Sequence, residues 1–402
     1  MKGLSRIRGI RSNAIPFLIT LISIFMRVPL TGAHAVAEAI RQINPEVMSV
    51  YPITPQTPII EKFAKFVADG KVDTELIRTE SEHSAISACV GSSAAGVRTF
   101  TASSSQGLAL MFEILPIASS LRLPIVMQAV ARALSGPINI HCDHSDVMAC
   151  RETGWLQIFS ENAQEAYENT FLALKLAEKA RLPIMVIQDG FITSHSVEGV
   201  EILEDSAVKK FVGVYKPKNS LLDIDNPVTI GPFALPDYYF EFKMQQEDAM
   251  QKAKKEYLEV GMDLAKITGK KYPYFEGYKL KDAKYVIVAA GSTAGIIKDV
   301  IDERRKQGEK VGLLKIKLFR PFPEKEIEKA LENKIVAVLD RSLSIGARPP
   351  IYLEIKSICK NVQSYVYGLG GRDIFSSDLH GIFDEMEGKT FGKETRYIGL
   401  RE

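Results

Sequence analysis

The sequence predicts an α/β protein: a doubly wound parallel sheet followed by a second α/β unit. The prediction depends on continuous apolar strands, on helical periodicity between them, and on a return of the same alternation from residue 283. Parallel strands are buried on both faces, so they read as unbroken apolar runs, and helices must connect them. Such alternation is typical of a sheet covered by helices on both faces.

The first unit contains five predicted strands and four predicted helices. The strands are "EVMSVY" (46–51), "TELIRT" (74–79), "VRTFTAS" (97–103), "LPIVMQAV" (123–130) and "LPIMVIQD" (182–189). The helices cover 56–68, 83–95, 105–120 and 162–180. Residues 191–235, rich in Pro, Asp and aromatics, lose this alternation and are predicted to connect or cover other elements.

A charged helix over 243–268 precedes the second unit, which reads as strand, glycine-rich turn, helix and strand, and continues with "KIVAVLD" (334–340). The glycine-rich turn "AAGSTAG" (289–295) has neither G-x-G-x-x-G spacing nor a P-loop lysine. We therefore predict a tight strand-to-helix turn there, without a nucleotide site.

Composition excludes several classes of function. The 402 residues include 51 basic and 49 acidic side chains, a net charge of +2, so no nucleic acid partner is expected. The four cysteines form no C-x-x-C and have no zinc spacing, so we expect no metal site and no iron–sulfur cluster on this chain. Scattered single cysteines favour a reducing compartment.

The first 25 residues allow two interpretations. Basic residues, a short apolar run and "AHA" (33–35) together resemble a signal peptide with its cleavage site. Cleavage after Ala35 would, however, cut into the predicted helix "TGAHAVAEAIRQI", so we favour an N-terminal extension over 1–26 and a cytoplasmic location. The apolar run is too short to span a bilayer, so no membrane association is expected.

Polar residues follow the predicted strands at the edge where open α/β sheets bind ligands. Thr54 follows the first strand within "YPITPQTPIIE", Glu80 and Glu82 follow the second, "SSSQG" (103–107) the third and Arg132 the fourth. Each residue taken singly also has a structural interpretation: a rigid proline turn, an acidic helix N-terminus or a surface ion pair. Their convergence at one edge favours a binding site.

Several long motifs resemble, in the same order, the α subunit of pyruvate:ferredoxin oxidoreductases. They are "YPITPQTPIIE", "RTESEHSAISACVGSSAAGVRTFTASSSQG", "QAVARALS", "DHSDVMACRETGW", "QDGFITSH", "KIKLFRPFP" and "AVLDRS". The resemblance covers about residues 27–345. It implies a thiamine-diphosphate pyrimidine-binding domain over 27–240, a helical linker over 241–280 and a transketolase C-terminal-like domain over 281–402.

The resemblance also implies roles for three residues. Thr54 would present its hydroxyl to the cofactor and the substrate. Glu82 would place its carboxyl against the aminopyrimidine ring and favour the tautomer that activates the cofactor, with Glu80 as the alternative acid. Arg132 would pair with the substrate carboxylate in bidentate fashion.

A second motif has only partial similarity to a diphosphate site. "IQDGFITSH" (187–195) resembles the G-D-G motif that binds diphosphate and Mg²⁺, but Gln188 replaces its first glycine and the downstream Asn219 lies in the irregular segment. We interpret the motif as a chance similarity. It follows that Mg²⁺ and the diphosphate lie on a partner β subunit and that this chain is inactive alone.

The implied reaction is oxidative decarboxylation of pyruvate with coenzyme A to acetyl-CoA and CO₂. Electrons would reach ferredoxin through [4Fe–4S] clusters on the γ and δ subunits. A subunit for 2-oxoisovalerate or another 2-oxoacid is the alternative within this class. A non-catalytic assembly subunit and a transketolase-like carboligase are alternatives from other classes.

Overall fold

The computed structural model describes residues 25–388, 392 and 394–401, whose strands form two mainly parallel sheets and one two-stranded ribbon. The strands are β1 (Phe25–Thr31), β2 (Val47–Val50), β3 (Glu75–Arg78), β4 (Thr99–Ser103), β5 (Ile125–Ala131), β6 (Leu156–Phe159), β7 (Ile184–Asp189), β8 (Val197–Leu203), β9 (Phe275–Tyr278), β10 (Tyr285–Ala290), β11 (Val311–Ile316), β12 (Leu318–Arg320), β13 (Ile335–Asp340), β14 (Val362–Val366) and β15 (Arg396–Tyr397). The helices are α1 (Gly32–Ile43), α2 (Thr57–Ala68), α3 (Glu82–Ala94), α4 (Gln106–Met111), α5 (Leu115–Ser120), α6 (Ser145–Ala149), α7 (Ala163–Ala180), α8 (Ile192–His195), α9 (Asp205–Val212), α10 (Pro236–Thr268), α11 (Ala294–Lys306), α12 (Glu324–Leu331), α13 (Pro350–Ile358) and α14 (Ser376–Glu387). Residues 1–24 of the predicted extension lie outside the described residues.

The first sheet has the strand order β12-β6-β7-β5-β4-β2-β3, with only β12 antiparallel to its neighbour. Strands β4, β5 and β7 are buried along their whole length, since helices cover both faces. This is the predicted doubly wound architecture. Its carboxyl edge collects the loops that follow β2, β3, β4 and β5.

Side-chain caps fix where three helices of this unit begin. Thr31, Ser81 and Asn162 each accept a hydrogen bond from the backbone N–H three residues later, at the starts of α1, α3 and α7. Such caps satisfy amides that the helix itself leaves unpaired. The cap at Ser81 therefore places Glu82 in the first turn of α3, directly above the sheet edge.

The second sheet has the order β15-β14-β13-β10-β11-β9, with β9 antiparallel to β11. Helices α11 and α14 pack on one of its faces through residues such as Ile297 and Phe383. A second apolar cluster includes Ile327 of α12 and Ile355 of α13, and it continues into Leu115 and Phe159 of the first unit. The two units therefore share one continuous core.

The structure differs from the sequence expectation at several elements. The helix predicted over 105–120 is two helices, α4 and α5, because Pro116 cannot donate the hydrogen bond that would continue the first one. Strand β6 was not predicted, nor was the antiparallel ribbon of β1 and β8. No strand was predicted directly after β11, but β12 crosses to the first sheet and pairs with β6.

The long helix α10 begins at Pro236, seven residues before the predicted start at 243. Its first turns leave Tyr238 and Phe240 exposed, whereas Tyr257 and Leu264 are buried in the core of the first unit. Within the part of the chain that the structure describes, no helix is both long and apolar enough to cross a membrane.

Candidate active site

The carboxyl edge of the first sheet holds the three site residues predicted from the sequence. Thr54 follows β2, Glu82 follows β3 and Arg132 follows β5. Thr54 and Arg132 are in direct contact. No hydrogen bond or ion pair among the described residues joins Glu82 to either of them. The edge thus contains two adjacent groups of polar residues.

The guanidinium of Arg132 is buried and forms no ion pair with a carboxylate among the described residues. Its side chain is only 5 % exposed. Nη1 donates to the Thr54 carbonyl oxygen at 2.9 Å, and Nε donates to the Asn139 carbonyl oxygen, also at 2.9 Å. Burial lowers the pKa of Arg132, and the nearby carboxylate of Asp146 offsets part of that effect. A guanidinium held in this way would gain most from an incoming carboxylate, because a bidentate ion pair offsets its desolvation.

The proline turn before α2 is held from inside the protein. The buried Gln56 donates from its backbone N–H to the Ile53 carbonyl and from Nε2 to the Tyr51 carbonyl, at 2.9 and 2.8 Å. The side chain of Thr54 is exposed, and no described residue forms a hydrogen bond with its hydroxyl. The turn therefore fixes the backbone of Thr54 and leaves its hydroxyl open at the sheet edge.

Glu82 and Glu80 have opposite environments. Glu82 is 6 % exposed, and no other described residue forms a hydrogen bond with its carboxylate. Burial raises the pKa of Glu82, although a hydrogen bond from its own backbone N–H lowers the pKa in part. Glu80 is exposed and accepts a hydrogen bond from the Ser84 hydroxyl, which lowers its pKa. Of the two acids, only Glu82 is buried and accepts no hydrogen bond from another described residue.

Gly107 and the hydroxyl of Ser103 lie beside the carboxyl group of Glu82. A methyl group added to Gly107 would lie 2.8 Å from Glu82 Oε1 and closer still to Ser103 Oγ, so the site requires glycine there. The hydroxyls of Ser103 and Ser104 are buried and have no hydrogen-bond partner among the described residues. Buried polar groups are nearly always paired in proteins, so this set fits a ligand that both donates and accepts hydrogen bonds.

Asp146 is a site residue that the sequence analysis did not single out. It is 1 % exposed, and its Oδ2 accepts from the backbone N–H groups of Ser105 and Arg132, at 2.8 and 3.0 Å. Burial raises its pKa to about 7. Asp146 thereby ties the loop after β4 to the loop after β5. The only sequence signal was its position in the motif "DHSDVMACRETGW", because its partners are backbone groups of distant segments.

Asp189 of "IQDGFITSH" is fully enclosed in a cluster between the two units. Its carboxylate contacts His144 Nε2 at 2.8 Å, Arg341 Nη1 at 3.0 Å and Ser292 Oγ at 2.6 Å. Burial alone would raise the pKa of Asp189, but these partners outweigh it and hold the pKa well below its usual range. The glycine-rich turn that contains Ser292 therefore binds a carboxylate of the first unit.

Asn219 does not approach Asp189. It is exposed and lines a surface hollow with Ala94 and Pro124, at the edge where the strands begin. Asp189 lies at the other edge, where they end. The two residues cannot form one metal site in this fold.

Two family models match the chain. The model described as "Pyruvate flavodoxin/ferredoxin oxidoreductase, thiamine diP-bdg" matches residues 38–261. The model described as "Pyruvate:ferredoxin oxidoreductase core domain II" matches residues 283–379. The pyruvate synthase subunit PorA of Thermotoga maritima is 56% identical over 386 residues, covering 94% of this chain and 98% of that protein.

The chain belongs to the pyruvate:ferredoxin oxidoreductase family. This confirms the resemblance identified from the motifs. The ketoisovalerate oxidoreductase subunit VorA of Pyrococcus abyssi is less similar, at 41% identity over 366 residues, covering 89% of this chain and 93% of that protein.

Solved structures share the fold. A 2-oxoglutarate:ferredoxin oxidoreductase from Magnetococcus marinus superposes with a TM-score of 0.70 at 19% identity, covering 90% of this chain and 65% of that longer chain. A split-gene transketolase superposes with a TM-score of 0.51 at 11% identity, covering 88% of this chain and 93% of that chain. At these identities the likeness extends to the fold alone, and it confirms the predicted α/β fold class.

The described residues fit one half of thiamine diphosphate better than the other. The buried Glu82 carboxyl and the nearby unpaired hydroxyl of Ser103 supply the kinds of donor and acceptor that the hydrogen-bonding edge of an aminopyrimidine needs. The diphosphate and its metal need free oxygen ligands. Asp189 is already paired with a cation, so it is not free for that role.

Proposed function

We propose that this chain is the α subunit of a thiamine-diphosphate-dependent pyruvate:ferredoxin oxidoreductase. The reaction is oxidative decarboxylation of pyruvate with coenzyme A to acetyl-CoA and CO₂, with the electrons passed to ferredoxin. The observation that carries the proposal is the buried carboxyl group of Glu82, which has no partner from another described residue, at the ligand-binding edge of the sheet.

Three residues of this chain perform the proposed work. Thiamine diphosphate, when bound, supplies the nucleophilic carbon for the ketone of the substrate. Glu82 holds a proton toward the ring nitrogen, and its raised pKa brings proton exchange closer to neutral pH. Arg132 binds the substrate carboxylate, and the Thr54 hydroxyl orients substrate and cofactor beside it.

Partner subunits complete the proposed site. The β subunit binds the diphosphate and Mg²⁺, which agrees with the engagement of Asp189 by Arg341. The γ and δ subunits hold [4Fe–4S] clusters, since the four cysteines of this chain are too scattered in sequence to form a cluster motif. We also propose a cytoplasmic location and domain boundaries at 27–240, 241–280 and 281–402.

The substrate we favour is pyruvate. The PorA relative is 56% identical to this chain and the VorA relative 41%. 2-Oxoisovalerate remains the second candidate substrate. A non-catalytic assembly role is disfavoured because Thr54, Glu82 and Arg132 are all present at one edge of the sheet.

The test is to purify the complex through a tag on this chain and to follow coenzyme A-dependent ferredoxin reduction with a panel of 2-oxoacids. We expect kcat/KM for pyruvate to exceed that for 2-oxoisovalerate by at least about tenfold, because one methylene changes binding by ~1–3 kcal/mol. The chain purified alone should show no turnover. A complex that prefers 2-oxoisovalerate would assign the second candidate substrate, and a complex without any 2-oxoacid activity would contradict the proposal.

A further inference from the structure

A glycine turn of the second unit touches the loop that holds Arg132. The turn, Gly368–Gly371, follows β14. The backbone N–H of Gly371 donates to the Cys142 carbonyl at 2.7 Å, and the Gly370 carbonyl accepts from Asn139 Nδ2 at 3.0 Å. On the first unit, the Cys142 carbonyl and the Asn139 side chain both lie in the segment between Arg132 and α6.

Asn139 uses each of its polar groups differently. Its Nδ2 binds the second unit through Gly370. Its Oδ1 accepts from the backbone N–H of His141 at 2.7 Å, which closes the local turn. Its carbonyl oxygen accepts from Arg132 Nε at 2.9 Å. One residue therefore connects the second unit, its own loop and the guanidinium.

The guanidinium of Arg132 is clamped between two carbonyl oxygens. Nε is held by Asn139 and Nη1 by Thr54, whereas Nη2 has no hydrogen-bond partner among the described residues. A shift of the Asn139 carbonyl would rotate the guanidinium and turn Nη2 away from the position of the proposed substrate carboxylate. Bidentate pairing with a carboxylate tolerates little misalignment.

We propose that Asn139 is a positioning residue, which transmits the placement of the Gly368–Gly371 turn to the guanidinium of Arg132. The second unit would thereby set the affinity of the first unit for the 2-oxoacid carboxylate. The inference rests on the proposed function of Arg132 as the group that binds this carboxylate.

Gly370 offers a way to perturb the link from the side of the second unit. A methyl group added there would lie 2.5 Å from Asn139 Nδ2, and Gly370 has a φ of +58°. Gly70 is a matched control, because its φ is +65° and nothing lies within 4 Å of an added methyl group. The backbone cost of alanine is therefore similar at both positions, and only Gly370→Ala displaces Asn139.

The experiment measures KM for pyruvate and kcat in the assembled complex, together with the Kd of oxamate by calorimetry. In oxamate an amino group replaces the methyl group of pyruvate, so its binding reports on the carboxylate site without turnover. We expect Asn139→Ala and Gly370→Ala each to raise KM and Kd about three- to tenfold, the value of one hydrogen bond, while kcat changes less than twofold. Gly70→Ala should leave KM, Kd and kcat unchanged.

The double variant separates positioning from a general loss of structure. Because Gly370→Ala acts by displacing the Asn139 side chain, it should add less than twofold once residue 139 is alanine. If Asn139→Ala does not assemble, Asn139→Asp replaces it in both measurements. Aspartate keeps the acceptor for His141 and loses the donor to Gly370. Because it also adds a negative charge, its effect must agree in direction with that of Gly370→Ala, which adds none.

The variant Arg132→Lys tests separately whether Arg132 binds the 2-oxoacid carboxylate. If it raises KM and the oxamate Kd while the variants at 139 and 370 do not, the positioning role is wrong and the proposed function stands. If Arg132→Lys changes neither quantity, Arg132 does not bind the carboxylate, and both its proposed role and the positioning role of Asn139 are wrong. A double variant whose loss equals the product of the two single-variant losses would also contradict the link.

Discussion

At the scale of the residue, burial distinguishes side chains that the sequence presents as equivalent. Glu80 and Glu82 are two positions apart at the start of one helix. The backbone turns Glu80 toward solvent and Ser84, and turns Glu82 toward Gly107 and the sheet edge. Desolvation then raises the pKa of Glu82, while the hydrogen bond from Ser84 lowers that of Glu80.

We expect Glu82→Gln to lower kcat of the assembled complex by at least about 100-fold, because proton transfer by a positioned side chain contributes about 10²–10⁴ in rate. Glutamine keeps the shape and cannot exchange the proton. Glu80→Gln is the matched control and should retain nearly full turnover. Circular dichroism should show both variants folded. Turnover close to wild type in Glu82→Gln would remove Glu82 from the mechanism.

At the scale of the element, the site depends on how closely two short helices approach. Helix α4 packs against the start of α3 at Gly107, where no side chain separates the helix backbone from Glu82 and Ser103. The sequence "SSSQG" predicted polar groups here, but not this packing. The chain then breaks between α4, which ends at Met111, and α5, which begins at Leu115 just before Pro116.

A second prediction belongs to this packing. Gly107→Ala should lower kcat of the complex about tenfold or more, because the new methyl group would displace the Glu82 carboxyl that lies 2.8 Å away. Gly91→Ala in α3 is the control, since nothing lies within 4 Å of a methyl group there. Steady-state kinetics on both complexes measures the effect. Equal activities would show that Glu82 tolerates displacement.

At the scale of the whole molecule, charged clusters fix the second unit on the first. Asp189 is bound by Arg341 and by the turn at Ser292. Lys315, from β11, is buried against Glu165 of α7 at 2.9 Å. Strand β12 also crosses from one unit to the other. The sequence analysis treated these segments as separate, because every one of these contacts joins residues more than 100 positions apart.

The third prediction follows from the buried cluster. Asp189→Asn should lower the free energy of unfolding at pH 7 by about 3–5 kcal/mol, because Arg341 would lose its buried counter-ion. Urea titration followed by circular dichroism measures the change. Asp302→Asn is the control, since Asp302 pairs with Lys279 at the surface. A variant as stable as wild type would mean that the ion pair does not hold the units together.

The difference in the free energy of unfolding between wild type and Asp189→Asn should depend on pH in a definite direction. The pKa of Asp189 in the folded protein lies below its ordinary value of 3.8. Its contribution is therefore complete above that value and is lost as the pH falls below 3.8 toward the folded pKa. Wild type and Asp189→Asn should converge in stability on acidification. A gap that widens at low pH would contradict the assignment.

The α/β class, five strands and most helices of the first unit, and the sheet edge that holds Thr54, Glu82 and Arg132 could all be predicted from the sequence. Those features follow from local patterns, since apolar runs, caps and prolines act within a few residues. Tertiary structure alone decided the rest. The roles of Asp146, Asn139 and the Asp189 cluster, and the pairing of β12, arise from contacts between distant segments, and burial rather than residue type sets their chemistry.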